Sequence, residues 1–332
     1  MHAAAFSPRG GGVAPKTTRL RGQSIIEYVL IAAVIGLVVV FAGPQVSGAI
    51  RNQFNLVGNT VNSGTSGGTE GGGASGGGSA GADSAIVQAA VAKDAKDWTL
   101  DEQKAVAEDI AAKGEASPAY AKAKAAMDAG TKFTVKLTDG QTLEYKIIGI
   151  DHNDLADGSG KAGLTFLTTS TGIKSYMFAP KHNTGYGWEK SELRQKMNSG
   201  EIWNLMPAGF QAKVEIVAKL TNNAGGGRMT NAVTETSDRL FLLSYSELVE
   251  VPYDYYPSYS WLHNEGTQYE AFKGKVTQNP SGNSCLSFGA SWWERSEALS
   301  SYTHFRCVGE NGNPGSIDET YRSLCICPAW CF

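Results

Sequence analysis

Lys132-Phe133-Thr134-Val135-Lys136-Leu137-Thr138-Asp139-Gly140-Gln141-Thr142-Leu143-Glu144-Tyr145-Lys146-Ile147-Ile148 decides the fold class of this chain. Polar and apolar residues alternate from Lys132 to Leu137, and Asp139-Gly140 supplies a tight turn. The alternation returns at Thr142, which predicts a β-hairpin with one buried face. Further strands are expected at 164–169, 214–220 and 239–243, and the segment 324–330 is placed to close the sheet. Between them Trp188 to Asn198 reads as a helix with Leu193 and Met197 on one face. Residues 131–332 thus form an α+β domain of about 200 residues, large enough for its own core.

Upstream of the hairpin the period changes. Residues 84–130 are alanine-rich, with helices expected at 84–96, 100–113 and 118–129. Thr99-Leu100-Asp101-Glu102 is a capping box, Gly114 and Gly130 are placed to end helices, and Ser117-Pro118 starts one. Few bulky apolar residues lie on these helices, so they are expected to pack weakly, as a helical stalk or against the head. Residues 63–83 precede it as a Gly/Ser linker. The run 63–82 has ten glycines and no large side chain, so it reads as a tether of roughly 25 Å.

Composition narrows the function. The 332 residues carry 29 lysines and arginines against 32 acids, a net charge of −3. That balance offers no basic footprint for nucleic acid. Hydrophobic residues make up 42% and charged ones 18%, so the chain as a whole is not disordered. The five cysteines (Cys285, Cys307, Cys325, Cys327 and Cys331) all lie near the C-terminal end.

Residues 1–22 are basic, and Ile25 to Gly43 is apolar apart from Glu27. The stretch is about one hydrocarbon thickness long as a helix. The flanking charges put the N-terminus in the cytoplasm and the rest outside, where disulfides are possible. A secretory signal cut near Ser47-Gly48-Ala49 and a plain anchor both leave Glu27 unexplained, because a carboxylate within a membrane is costly.

The run Arg21-Gly22-Gln23-Ser24-Ile25-Ile26-Glu27-Tyr28 resembles the processing site of Flp-type pilins of the tight-adherence pathway. The resemblance implies a leader at 1–22, prepilin peptidase cleavage between Gly22 and Gln23, and a pilin-like transmembrane helix at 23–62. Glu27 would meet the freed amino group of a neighbouring pilin subunit in the filament, with Tyr28 beside it.

In the head, four blocks resemble a group of bacterial surface domains with a C-type-lectin-like fold. They are Trp188-Glu189-Lys190-Ser191-Glu192-Leu193-Arg194, Ser237-Asp238-Arg239-Leu240-Phe241-Leu242-Leu243-Ser244, Trp292-Trp293-Glu294-Arg295-Ser296 and Cys327-Pro328-Ala329-Trp330-Cys331-Phe332. The variable proteins of diversity-generating retroelements and the formylglycine-generating enzymes share that fold. By analogy with the former, the C-terminal segment would carry a diversified ligand surface.

The residues themselves favour binding. Tyr253, Tyr255, Tyr256, Tyr259 and Trp261 crowd one loop-like stretch among serines. Rigid amphipathic rings interleaved with small polar residues are the composition of antibody paratopes. The expected ligand surface comprises Tyr255, Tyr256, Tyr259, Trp261, Trp292, Glu294, Ser300, Ser301, Thr303, Phe305, Asn311, Asn313, Asp318 and Tyr321, with the stretch 287–323 carrying its main part. Strand alternation sends one of Trp292 and Trp293 to the core. Glu294-Arg295 reads as an internal ion pair, with a structural role for Arg295 and the role of Glu294 left open.

Catalytic and cofactor signatures are sparse. Asp151-His152-Asn153-Asp154-Leu155-Ala156-Asp157-Gly158 is acidic but fails the calcium-loop spacing at Leu155. It reads as a solvated turn. Cys325 and Cys327 suggest structural thiols or disulfides, with a copper dithiolate as the alternative. No metal or cofactor is expected.

These readings give a non-enzymatic pilus-associated adhesin, a minor or tip subunit. Its partners would be other pilin subunits, the prepilin peptidase, the membrane before assembly, and a host or microbial surface glycan or protein. The alternatives are an exported enzyme of formylglycine-generating type and a purely structural pilus subunit.

Overall fold

The computed structural model describes residues 80–179, 187–223, 233–250, 260–281, 283–298, 301 and 303–332. Gly22, Gln23, Glu27 and Tyr28, the apolar segment behind them and most of the glycine run lie outside those residues.

Three helices come first: α1 (Ala80–Ala92), α2 (Leu100–Lys113) and α3 (Tyr120–Ala129). Thr99 and Glu102 form the capping box reciprocally. Glu102 N–H donates to Thr99 Oγ1 at 3.2 Å, and Thr99 N–H donates to Glu102 Oε2 at 2.7 Å. Gly114 (φ 57°) and Gly130 (φ 62°) end α2 and α3 in the left-handed region open to glycine.

The strands β1 (Lys132–Lys136) and β2 (Thr142–Ile150) form the expected antiparallel hairpin, with Val135 opposite Leu143. β3 (Leu164–Thr168) follows, then the short β4 (Lys174–Ser175). Beyond them come α4 (Glu192–Asn198), α5 (Glu201–Leu205), α6 (Ala208–Gln211), β5 (Val217–Asn222) and β6 (Val233–Asp238). The chain then forms α7 (Tyr245–Leu248), β7 (Trp292–Glu297), β8 (His304–Val308) and β9 (Ser316–Glu319), and ends with β10 (Leu324–Cys325) and β11 (Ala329–Cys331).

The strands assemble into a four-stranded sheet, β1-β2-β3-β11, a five-stranded sheet, β4-β10-β7-β8-β9, and a β5-β6 ribbon. β11 pairs antiparallel with β3 and closes the first sheet. β10 runs parallel to β7, with Cys325 opposite Trp292.

The fold class stands as α+β, but its expected layout needs two corrections. Among the described residues no helix is long and apolar enough to cross a membrane, so none of them is a counterpart of the transmembrane helix expected at 23–62. The second correction is that residues 84–130 pack tightly against the head, the second of the two expected placements, and not weakly. Trp98 stacks on Phe133 (ring centroids 6.3 Å apart), and the Tyr145 hydroxyl donates to Gln103 Oε1 at 3.0 Å. Helix α2 approaches the sheet so closely that a Cβ on Gly163 would lie 1.9 Å from the Ala107 carbonyl oxygen. Val106, Ala107, Ile110, Ala119 and Ala123 are fully buried in the same hydrophobic core as Tyr145, Phe166 and Trp330. Alanine is what permits that approach, since small side chains let a helix backbone seat directly on a strand.

Two of the quoted blocks meet at one carboxylate. The Trp188 indole N–H donates to Asp238 Oδ2 at 2.9 Å, and Arg194 Nε donates to Asp238 Oδ1 at 2.6 Å. Leu240 to Leu243 are fully buried but form no strand. Only Phe241 bridges to Ala329, and burial on all sides explains the apolar run.

Candidate functional site

Of the aromatic stretch 253–261, residues 253–259 lie outside the described residues, but both roots of the segment 251–259 are defined. Its N-terminal root is α7, which starts on a second capping box. Glu247 N–H donates to Ser244 Oγ at 3.3 Å, and Ser244 N–H donates to Glu247 Oε2 at 2.9 Å. Its C-terminal root is the 3-10 turn Ser260–Glu265.

Arg295 ties these roots together from below. Its Nη1 donates to Glu247 Oε2 and, at 2.8 Å, to the Leu242 carbonyl. Nη2 donates to the Glu265 carbonyl, and Nε donates to the Leu220 carbonyl at 3.3 Å. One guanidinium therefore binds both ends of the segment and strand β5. The structural role expected for Arg295 agrees with this geometry, but its ion-pair partner is Glu247 and not the adjacent Glu294.

Around it sits a buried polar cluster. Lys219 Nζ donates to Glu247 Oε1 and, at 2.7 Å, to Asn153 Oδ1. Glu265 accepts from the Asn222 N–H at 3.0 Å and from the Ser296 hydroxyl. The Ser296 Oγ in turn accepts from the Tyr245 N–H at 2.9 Å. Burial opposes ionisation of Glu247, but Arg295 and Lys219 outweigh it and hold that carboxyl down at about 2. At Glu265 burial prevails over Arg295 and pushes the carboxyl up to about 7. Burial also drives the Glu294 carboxyl well above its ordinary range, against the pull of Arg306. Neither Glu294 oxygen has a hydrogen-bond partner among the described residues. The cluster is a permanent ion pair beside two acids biased toward the neutral form.

The structure divides the expected ligand surface. Tyr255, Tyr256, Tyr259 and Ser300 lie outside the described residues, and only the backbone of Trp261 is described, within the turn Ser260–Glu265. Trp292, Glu294 and Phe305 are fully buried and are corrected from surface to interior. The alternation rule fails at Trp292 and Trp293 because both faces of central strand β7 are covered. Trp292 Nε1 donates to the Leu286 carbonyl at 3.1 Å, and Trp293 Nε1 donates to the Ser175 carbonyl at 3.0 Å.

Ser301, Thr303 and Tyr321 come together at one end of β8 and β9. There Thr320 N–H donates to the Thr303 carbonyl at 2.8 Å, and Tyr321 is 44% exposed. Asp318 is half-buried on β9 and faces Arg322 at 3.7 Å. Asn311 and Asn313 sit at the opposite end, where they shape the β8–β9 turn. Their Oδ1 atoms accept from the N–H groups of Asn313 (3.2 Å) and Gly315 (2.9 Å). They do not join the first group.

Lys219, Glu247 and Glu265 were not singled out in the sequence. Ser244-Tyr245-Ser246-Glu247 does fit the capping-box pattern, but nothing local marks Lys219 or Glu265.

The acidic turn is only partly solvated. Asn153 is buried, and its Nδ2 donates to Thr165 Oγ1 at 2.8 Å. All five cysteines are free thiols. Burial pushes the Cys325 and Cys327 thiols up, away from the thiolate that copper binding needs. No group of three His, Cys, Asp or Glu side chains suited to a metal occurs among the described residues.

A family model described as a domain of unknown function, DUF6273, matches residues 162–332. The chain belongs to the DUF6273 family. No curated protein and no solved structure matches it. The DUF6273 match begins between β2 and β3, inside the four-stranded sheet. The folded unit is therefore larger than the matched region, since β1, β2 and the three helices complete its core.

Proposed function

We propose that this DUF6273 protein is a non-catalytic recognition subunit. Its head binds a host or microbial surface glycan or protein through the aromatic, hydroxyl-rich segment 251–261. The observation that carries the reading is the Arg295 clamp, which fixes both roots of that segment on a buried ion pair. Recognition residues on loops held by a rigid scaffold are the usual arrangement for binding. The grouping of Ser301, Thr303 and Tyr321 adds a second exposed set.

The prepilin-type motif around Gly22 and Glu27 supports delivery to the cell surface as a pilus-associated subunit. Other pilin subunits and the prepilin peptidase are then its partners.

The test replaces Tyr255, Tyr256 and Tyr259 with serine in the full chain. Binding is read on immobilised glycan arrays and on intact host and bacterial cells. The expected result is loss of binding with an unchanged unfolding curve, whereas undiminished binding refutes the assignment. Mass spectrometry of the exported protein should find Gln23 at the N-terminus. A product that retains residues 1–22 refutes the pilus half of the proposal.

A further inference from the structure

Away from the loop roots, α4, α5, α6 and the start of the Arg239–Leu243 run enclose an open cleft of about 580 Å³. One wall is Trp203, half-buried, with the exposed Arg239 guanidinium stacked over its ring at 5.6 Å. Asn198 fixes that arginine from below. Its Oδ1 accepts from the Arg239 N–H at 2.6 Å, and its carbonyl accepts from Nη1 at 3.4 Å. The neighbouring Asp238 is buried and already bound by Arg194 and Trp188. Arg239 therefore has no carboxylate partner among the described residues, and none of the cleft-lining residues is acidic.

The other walls carry neutral hydrogen-bonding groups. Gln211 Nε2 donates to the carbonyls of Trp203 (2.9 Å) and Met206 (3.0 Å), which fixes the amide and leaves Oε1 as an acceptor. Ser199 lies on the rim, and the Trp203 indole N–H donates to no protein group among the described residues. Ala208 and Ala212 form a low floor that leaves the space unfilled.

A guanidinium without a carboxylate partner among the described residues, braced on an indole, selects an oxyanion. A spare amide oxygen, a hydroxyl and an indole N–H beside it suit a ring bearing hydroxyl groups. We propose that this cleft binds an anionic sugar, with Arg239 taking the charged group and Trp203, Gln211 and Ser199 taking the ring. The oxyanion is a carboxylate, as in a uronate, or a phosphate, as in a sugar phosphate. None of the cleft-lining residues belongs to segment 251–261, and the inference does not depend on the role proposed for that segment.

The test is calorimetric titration of the full chain with glucuronate, glucose 6-phosphate, glucose, acetate and inorganic phosphate. Either charged sugar should bind, and the arm that does so identifies the oxyanion. Glucose and the bare anions should bind more weakly. Arg239→Gln should weaken the charged sugar by about tenfold or more, as expected for losing a charge-assisted hydrogen bond. Arg239→Lys, which keeps the charge but not the fork, should fall between the two and serves if the glutamine variant misfolds. The proposal is overturned if neither charged sugar binds at millimolar concentration. It is also overturned if a bare anion binds as tightly, or if both variants bind like the parent.

Discussion

Replacing Gly163 with alanine measures how closely helix α2 sits on the sheet. The added Cβ would lie 1.9 Å from the Ala107 carbonyl oxygen and 2.7 Å from its carbon. Ordinary contact begins near 3.4 Å, so the helix must retreat by about 1.5 Å. The obstacle is backbone, so no side-chain rotation relieves it. Retreat would also loosen Val106, Ile110 and the bond from Tyr145 to Gln103. Overpacking generally costs about 1–3 kcal/mol, and a clash with a helix backbone belongs at the top of that range. A domain of this size loses roughly 2–4 °C of Tm per kcal/mol, so Gly163→Ala should lower Tm by about 6–12 °C. Gly209→Ala is the matched control, because nothing lies within 4 Å of its added Cβ. It should leave stability unchanged or raise it slightly. Denaturant unfolding of both variants decides the matter. If Gly163→Ala is as stable as the parent, the helices are not seated on the sheet and the single-core description is wrong.

Other outcomes follow from the buried cluster and the thiols. Arg295→Met leaves the Glu247 carboxylate buried beside Lys219 alone and should cost about 3–5 kcal/mol, as breaking a buried pair does; chemical denaturation measures it. Glu265 has its carboxyl raised to about 7 from 4.5. Its stabilising contribution is therefore complete below about pH 4.5 and is lost as pH rises through 7. Glu265→Gln should flatten that part of the stability–pH profile, leaving the share due to Glu294, and an unchanged slope would contradict the assignment. Glu247, held at about 2, acts oppositely, so its contribution is lost as pH falls from 4.5 toward 2. Native protein treated with a thiol reagent should label Cys285 fast. Cys307, Cys325, Cys327 and Cys331 are buried and should react only on unfolding.

The β1–β2 hairpin and the ends of α2 and α3 were legible because their signals are local: alternation, Asp139-Gly140, the Thr99 capping box, and glycines at positive φ; α1, expected at 84–96 without such a signal, spans Ala80–Ala92. Long-range packing was not. The alanines of α2 and α3 read as weak packing, yet their small size is what lets α2 meet Gly163. Leu240 to Leu243 and the pair Trp292-Trp293 misled in the same way. A stretch covered on every side has no polar face, so periodicity cannot tell strand from buried coil or assign one ring to solvent. At the site, adjacency in sequence suggests Glu294 as the ion-pair partner of Arg295. Its partners lie 48 and 30 positions away in sequence, and only the folded chain brings Glu247 and the Glu265 carbonyl to it.

The clamp at Arg295 has a consequence for engineering. Because Glu250 and Ser260 flank a segment whose two anchorages are already joined underneath, the stretch between them can be exchanged without rebuilding either anchorage. Doubling the length of such an insert adds only about 0.6 kcal/mol of closure entropy. Foreign peptides grafted there would inherit fixed attachment points, which makes the head a ready frame for display libraries.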